Sequence, residues 1–343
     1  MKAMVYKGPW QMSLEDVPEP SVRPGEAIVA VRAVGVCGSD VHGYTGSTGR
    51  RIPPMVMGHE FSGVVTAVGE GVAMHKPGDR VVVQPLITCG ECENCRAGRT
   101  NICTNRRGLG MGRVDGAYAE AISVPENLLY DLPEGVSWEK GALVEPLSVA
   151  LHGVNVTPIA LMDPVVILGA GTIGLLVLLG CRLKGAGKII VSDVSPRRLQ
   201  RALELGADVV VNPARQDLGD VVRQCAGPAG APVVIEAVGI QATARQSIEI
   251  VRPGGHVTWI GNSQPYVEIG MQHVVTREIT VRGAYAFNEE FGRSIEVIDS
   301  GRIDVMALVE RVAPLEEGPQ IVDDLAHGKT DLIKAILKPG MDS

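Results

Sequence analysis

The chain reads as an α/β protein, with a doubly wound parallel sheet in its middle third preceded by a separate all-β unit. Three observations predict this. Between about residues 151 and 287, short strands alternate with helix-length spacers, the rhythm of repeated strand–helix–strand units. Those strands are continuously apolar, as in a sheet covered on both faces. The first 150 or so residues instead carry short β-branched runs punctuated by Pro24-Gly25, Gly69-Glu70-Gly71 and Pro77-Gly78, the turn signals of a compact barrel-like unit.

In chain order, strands are expected at 27–34, 63–68 and 80–83 in the first unit. In the second, a buried strand at 165–168 runs into a Gly-rich turn and a helix at 172–183. A strand at 189–192 and a helix at 196–205 follow. Strands at 209–211, 233–236 and 257–260 complete the pattern, with a helix at 241–251. The tail breaks the rhythm. It offers a helix at 291–300 and a closing strand at 333–337, and composition alone assigns it to neither unit.

A length of 343 residues suits two domains. The net charge of −7 provides no positive field to attract nucleic acid or an anionic membrane. The most basic stretch, Arg96 to Arg113, almost lacks aromatic residues to stack on bases and reads as a solvated loop face. No apolar run follows the first lysine, and none elsewhere is long enough to span a bilayer, so a cytoplasmic protein is expected. Seven cysteines, an odd number with four inside fifteen residues, suit a metal in a reducing compartment better than a disulfide framework.

Gly169-Ala170-Gly171-Thr172-Ile173-Gly174 matches G-x-G-x-x-G between an expected strand and an expected helix, the context that marks a dinucleotide site. Gly169 permits the tight turn, Gly171 the approach of a pyrophosphate, and Gly174 the close packing of helix on strand. The phosphates then meet the amides of the helix start. Asp193 follows the next strand, where a carboxylate accepts ribose hydroxyls and repels a 2′-phosphate, so NAD is expected over NADP. Arg197 and Arg198 keep the other reading open, since a guanidinium there accepts a phosphate.

Cys89, Cys92, Cys95 and Cys103 lie in one lobe, at about 86–110. Four thiolates at short spacing suit tetrahedral zinc in a closed structural site. An iron–sulfur cluster fits less well. The bacterial cluster-binding run has a shorter last spacing and a proline after its fourth cysteine, whereas here seven residues intervene and Thr104 follows. A second, scattered set comprises Cys37, His59, Glu60 and Glu145. Thiolate, imidazole and carboxylate suit a zinc with one open position, as catalysis requires. The spacing alone also allows ordinary core residues.

Several segments, in order, resemble the zinc-dependent medium-chain dehydrogenase/reductase family, and its sorbitol-type polyol branch most closely. They are Gly58-His59-Glu60-Phe61-Ser62-Gly63 with Gly69 and Val72, the Pro77-Gly78-Asp79-Arg80-Val81 turn, and the four-cysteine lobe. The segment Glu145-Pro146-Leu147-Ser148-Val149-Ala150-Leu151-His152 and the Gly-rich turn follow. The resemblance runs over nearly the whole chain. It implies a GroES-like β-barrel catalytic domain at 1–150, completed by 288–343, and a Rossmann NAD-binding domain at 151–287. It implies a catalytic zinc near Cys37, His59 and Glu60, with Glu145 as a ligand or as partner of the water there. A proton path through Ser39 and His42, a structural zinc on the four cysteines, and ribose contacts at Asp193 and Arg198 are implied as well. Thr172, Ile173, Val238, Ile260 and Tyr285 are further expected cofactor contacts.

The implied activity is hydride transfer between NAD and a secondary alcohol: a polyol, sugar alcohol or diol-like compound. A homo-oligomer is expected, a tetramer before a dimer, with neither nucleic acid nor membrane as partner. One departure concerns the substrate. An arginine that contacts the polyol in sorbitol-type enzymes aligns with Ala286, which argues against sorbitol itself. The alternatives are a threonine or simple secondary-alcohol dehydrogenase of the same family, a carbonyl or enone reductase without catalytic zinc, and a nucleotide-binding relative without turnover.

Overall fold

The computed structural model describes residues 1–340, and the last three positions of the expected tail lie outside the described residues. The chain divides into two compact units, Met1–Glu145 with Phe291–Ser343, and Pro146–Glu290.

The second unit holds six parallel strands in the spatial order Val209–Val211, Ile189–Ser192, Val165–Leu168, Ala231–Glu236, Val251–Trp259, Thr280–Gly283. The chain winds outward from Val165–Leu168 on one side, then returns to build the other. The carboxyl ends of Val165–Leu168 and Ala231–Glu236 therefore flank the reversal point where doubly wound sheets bind nucleotides. Every residue of Val165–Leu168, Ile189–Ser192 and Ala231–Glu236 is buried, which explains why they are apolar as far as Ser192 and Glu236 at the carboxyl ends. The helix Thr172–Lys184 stops at Gly185, whose φ of 90° is left-handed and suits glycine. The helix Pro196–Glu204 starts behind Ser195, whose hydroxyl accepts from the Arg198 amide, with proline in the first turn.

Two strands depart from expectation. The strand expected at 257–260 runs from Val251 to Trp259. Its first half contains Pro253, Gly254 and Gly255, which read as a turn, yet the ladder absorbs them through a register shift between Ala231 and Val233. The strand Thr280–Gly283 has no apolar signature, because its residues are exposed or half-buried at the sheet edge.

In the first unit the main sheet runs Leu129–Asp131, Arg80–Val83, Glu60–Val68, Glu26–Gly35, Lys334–Lys338, Val309–Pro314, with Ala121–Pro125 also paired to Glu26–Gly35. The tail strand is thus assigned: Lys334–Lys338 pairs antiparallel with Glu26–Gly35. Gly35 faces Glu60 on one side and Ile336 on the other, so three distant segments converge where the chain leaves the sheet toward Cys37. Tyr6, Met57, Phe61, Tyr118 and Leu337 fill the core beneath. A small hairpin of Leu86–Ile87 with Arg107–Gly108 closes the base of the cysteine lobe. Among the described residues, no helix is long and apolar enough to cross a membrane.

Candidate metal and dinucleotide sites

Cys37 caps the helix Gly38–Tyr44, its sulfur accepting from the Ser39 amide at 3.4 Å. His59 immediately precedes the strand Glu60–Val68, which Glu60 opens. One ligand atom from each of Cys37, His59 and Glu60 lies within 4.8 Å of the others, and His59 and Glu60 are buried. Two glycines make the approach possible. A Cβ on Gly35 would sit 2.2 Å from Glu60 Oε2, and one on Gly58, with φ +94°, would sit 2.6 Å from the Tyr118 ring.

Behind His59 stands Asp40, fully buried. Its Oδ2 lies 3.4 Å from His59 Nδ1 and accepts from the Tyr118 hydroxyl at 2.8 Å. Its Oδ1 accepts from Arg51 Nη2 at 2.8 Å. Burial opposes ionisation of Asp40, but His59 and Arg51 outweigh it and hold the carboxyl well below the usual range. Nδ1 makes no hydrogen bond, but the facing Asp40 carboxylate favours the proton on that nitrogen, which would leave Nε2 for a metal. Burial likewise opposes a charge on His59, yet Asp40 and Cys37 draw its pKa well up. A pocket whose carboxylate and thiol favour positive charge at a buried imidazole also favours a cation, and its sulfur, nitrogen and oxygen donors suit zinc.

Glu60 Oε2 accepts from Lys334 Nζ at 2.7 Å, and the same ammonium donates to Val36 O at 3.0 Å. Both side chains are 1% exposed. Glu145, at the start of the helix Val144–Val156, is buried but is not among the residues whose ligand atoms share the 4.8 Å compass. Burial foremost, with repulsion from Glu60 and Asp40, pushes its pKa up against the pull of His59 and Lys334. Removing one partner of a buried pair strands the other, at a cost of about 3–5 kcal/mol. Lys334→Met should therefore destabilise the metal-free protein by about that amount. Urea unfolding measures it, and an unchanged midpoint would mean that Glu60 does not depend on this cation.

Ser39, on the exposed side of its helix, donates to Cys37 Sγ at 3.3 Å. His42 lies three residues on, also exposed, on the same face of the helix.

In the lobe, one sulfur from each of Cys89, Cys92, Cys95 and Cys103 lies within 4.8 Å of the rest, and all four are free thiols. Cys89 and Cys103 sulfurs are 3.5 Å apart, far beyond a disulfide bond of about 2.05 Å. That separation is near the ~3.8 Å edge of a tetrahedron with zinc–sulfur bonds of about 2.3 Å. Neighbouring amides pull Cys89 and Cys92 toward thiolate, while burial and the adjacent sulfurs push Cys95 the other way. A cation between the sulfurs would bind them as thiolates and relieve their mutual repulsion.

In the second unit, Gly169 adopts φ +102°, and a Cβ there would sit 2.6 Å from Val238 Cγ2. A Cβ on Gly174 would fall 1.8 Å from Gly169 O, so the helix packs as closely as the motif demands. Thr172 and Ile173 are half-buried at the helix start. Gly171, the N-cap, offers no capping side chain, an arrangement that suits an anion. Asp193 accepts from the amides of Ala170 at 2.7 Å and Ser195 at 2.8 Å. Arg198 Nη1 comes within 3.9 Å of where a Gly171 Cβ would stand. The buried Glu236 organises the opposite wall: its Oε1 accepts from the Val238 and Gly239 amides, and its carbonyl accepts from the Ile260 amide at 2.8 Å. Tyr285 and Ala286 follow the edge strand, half-buried, with Ala286 in the left-handed region at φ 50°.

Sequence reasoning overlooked Asp40, Arg51, Tyr118, Lys334 and Glu236. Asp40 had a local signal, an acidic residue three positions after a candidate ligand; the others meet their partners only through the fold.

Residues 23–134 match the family model of the alcohol dehydrogenase GroES-like domain, and residues 172–300 that of the zinc-binding dehydrogenase. The sorbitol dehydrogenase of Bacillus subtilis (strain 168) is 33% identical over 343 residues, spanning 99% of this chain and 97% of its own. A structure from Sinorhizobium meliloti 1021, described as a zinc-binding dehydrogenase bound to NADP, aligns with a TM-score of 0.92 at 33% identity, covering 98% of this chain and 99% of that one. The 2R,3R-butanediol dehydrogenase of Bacillus subtilis aligns with a TM-score of 0.89 at 31% identity, covering 99% of both chains.

Proposed function

The chain belongs to the zinc-dependent medium-chain dehydrogenase/reductase family, in its polyol dehydrogenase branch, and from that premise we propose that it oxidises the secondary carbinol of a polyol or vicinal diol with NAD. The observation that carries this reading is the convergence of Cys37, His59 and Glu60 on one point, with Asp40 braced behind the imidazole. Zinc held by these residues supplies a Lewis acid that makes the substrate hydroxyl more acidic. NAD, when bound, supplies the hydride acceptor.

The chain's own groups do the rest. Ser39 accepts the proton of the substrate hydroxyl while giving up its own toward His42, which releases it to solvent. Glu145, buried and pushed toward its neutral form, stands as a second carboxylate next to Glu60 and is the alternative third ligand. Cys89, Cys92, Cys95 and Cys103 hold the structural zinc. Gly169, Gly171, Thr172, Ile173 and Gly174 cradle the pyrophosphate, Asp193 and Arg198 receive the adenosine ribose, and Val238, Ile260 and Tyr285 bound the cofactor. With Ala286 in place of a guanidinium, a substrate with fewer hydroxyls than sorbitol is favoured. We place the enzyme in the cytoplasm as a homo-oligomer, a tetramer before a dimer.

The test is nicotinamide reduction by the purified protein across polyols, short diols, sugars, threonine and simple secondary alcohols, with NAD and NADP in parallel. Reduction of NAD by polyols or vicinal diols supports the reading. Turnover that survives complete zinc removal would sink it.

NADP is a specific second reading, favoured by the guanidinium of Arg198 beside the Gly-rich turn. Asp193 opposes it by charge. Asp193→Asn should raise the NADP-to-NAD ratio of kcat/KM at least about tenfold, an energy near 1.4 kcal/mol. An unchanged ratio would remove Asp193 as the discriminating group.

A further inference from the structure

Arg51 lies in the irregular segment between the helix Gly38–Tyr44 and the strand Met55–Val56, and its side chain is 3% exposed. Its backbone is pinned on both sides: the Ile52 amide donates to Gly112 O and the Gly112 amide to Arg50 O, each at 2.9 Å. From there the side chain passes beneath the helix at Gly43, where a Cβ would stand 2.6 Å from Arg51 Cγ and 3.4 Å from Nε. Nη2 then makes two contacts, donating to Asp40 Oδ1 at 2.8 Å and to Ser39 Oγ at 3.2 Å.

The first contact is what any buried guanidinium requires, since an unpaired buried charge is strongly destabilising. The second is not needed for that purpose. Ser39 is otherwise an exposed hydroxyl, free to rotate among staggered positions. At rest its proton is directed at Cys37 Sγ, and to pass a proton on, the hydroxyl must turn away from that sulfur. Nη2 occupies one of its two acceptor sites, so the oxygen stays in place through the turn and one direction remains for the incoming substrate proton.

We propose that Arg51 is a positioning residue for proton transfer, one nitrogen holding both the Ser39 hydroxyl and the Asp40 carboxylate that braces His59. The inference rests on the reading of Ser39 as the group that receives the substrate proton. Arg51 touches neither substrate nor metal ligand in this role; it acts through Ser39, as Asp40 acts through His59. A lysine at this position keeps the charge for Asp40, but its ammonium ends one bond short of Nη2 and its rotating donors fix no angle for a second acceptor.

The test is a double-mutant cycle of Arg51→Lys and Ser39→Ala, with 2,3-butanediol and NAD, together with zinc per chain by metal analysis and melting temperature. Arg51→Lys should lower kcat about tenfold, as a small misplacement of a reacting group does, with KM changed less than about twofold and zinc content intact. In the Ser39→Ala background the same substitution should cost nothing further, because residues acting as one unit are not additive. Equal losses in both backgrounds would overturn the role of Arg51 and leave the Ser39 reading standing. Normal turnover in Ser39→Ala would overturn both. Should Arg51→Lys lose zinc or fail to fold, Gly43→Ala decides: its methyl displaces the guanidinium without removing any polar group, and a helix favours alanine over glycine. A lowered kcat with zinc retained supports the inference, and an unchanged kcat refutes it.

Discussion

Replacing Cys37 by serine is expected to remove one zinc equivalent per chain and to lower turnover at least about 100-fold, the upper end of what loss of a mere outer partner costs a metal site. The thiolate is the only sulfur donor among the three convergent ligands, and a serine hydroxyl does not ionise near neutral pH to replace it. The fold should survive. Cys37 is half-buried and caps a seven-residue helix through the Ser39 amide, a task that serine performs well. The melting temperature of the metal-free protein should accordingly match that of the metal-free wild type within a few degrees. Metal analysis beside steady-state kinetics makes the check. Full activity with zinc still bound would show that Cys37 is not a ligand.

Cys92→Ser should do the reverse. Cys92 also caps a helix, accepting from the Cys95 amide at 3.5 Å, so the loss would again be that of a metal ligand. The consequence differs because of what surrounds it. The lobe has few buried apolar side chains, Leu86 and Leu109 among them, and its regular structure is short: the two-strand ladder at its base, the four-residue helix Glu93–Arg96 and one 3-10 turn at Thr100–Ile102. Without the metal little holds it. Closed zinc sites contribute about 10–16 kcal/mol in isolated zinc-finger peptides. Even about 4 kcal/mol of that, at 2–4 °C for each kcal/mol in a domain of this size, lowers the melting temperature by roughly 10 °C. Limited proteolysis should then cut within 86–110. An unchanged melting temperature and a protease-resistant lobe would contradict the structural role.

The two substitutions divide the cysteines by consequence, and the division was foreshadowed unevenly. The lobe cysteines announce themselves through spacing, since a run of four within fifteen residues folds back on one point whatever surrounds it. Cys37 and His59 are 22 positions apart, and nothing local makes them neighbours. Their resemblance to a known pattern suggested the association; the antiparallel ladder that sets Gly35 opposite Glu60 produces it.

The same contrast runs through the fold. The strand Val165–Leu168, the turn after it and the helix Thr172–Lys184 were legible because each is specified by adjacent residues: an apolar run, three spaced glycines of which Gly169 and Gly174 stand where a Cβ would collide, a helix-length apolar segment. The edge strand Thr280–Gly283 left no mark, because an edge position asks for no apolar run. The strand Val251–Trp259 was half hidden, because a parallel partner absorbs the glycines that elsewhere signal a turn.

By itself, then, the amino-acid sequence determined the doubly wound sheet, the Gly-rich turn and the four-sulfur lobe, all of which depend on side-chain period and short spacing. Only the tertiary structure decided which charges neutralise one another around the scattered site. Asp40 meets Arg51 and Tyr118, and Glu60 meets Lys334 across 274 residues. The physical reason is burial. In water these groups need no partner, and no local pattern records one. Inside the fold an unpaired charge is too costly to persist, so strand register and the returning tail must deliver each counter-charge to its place.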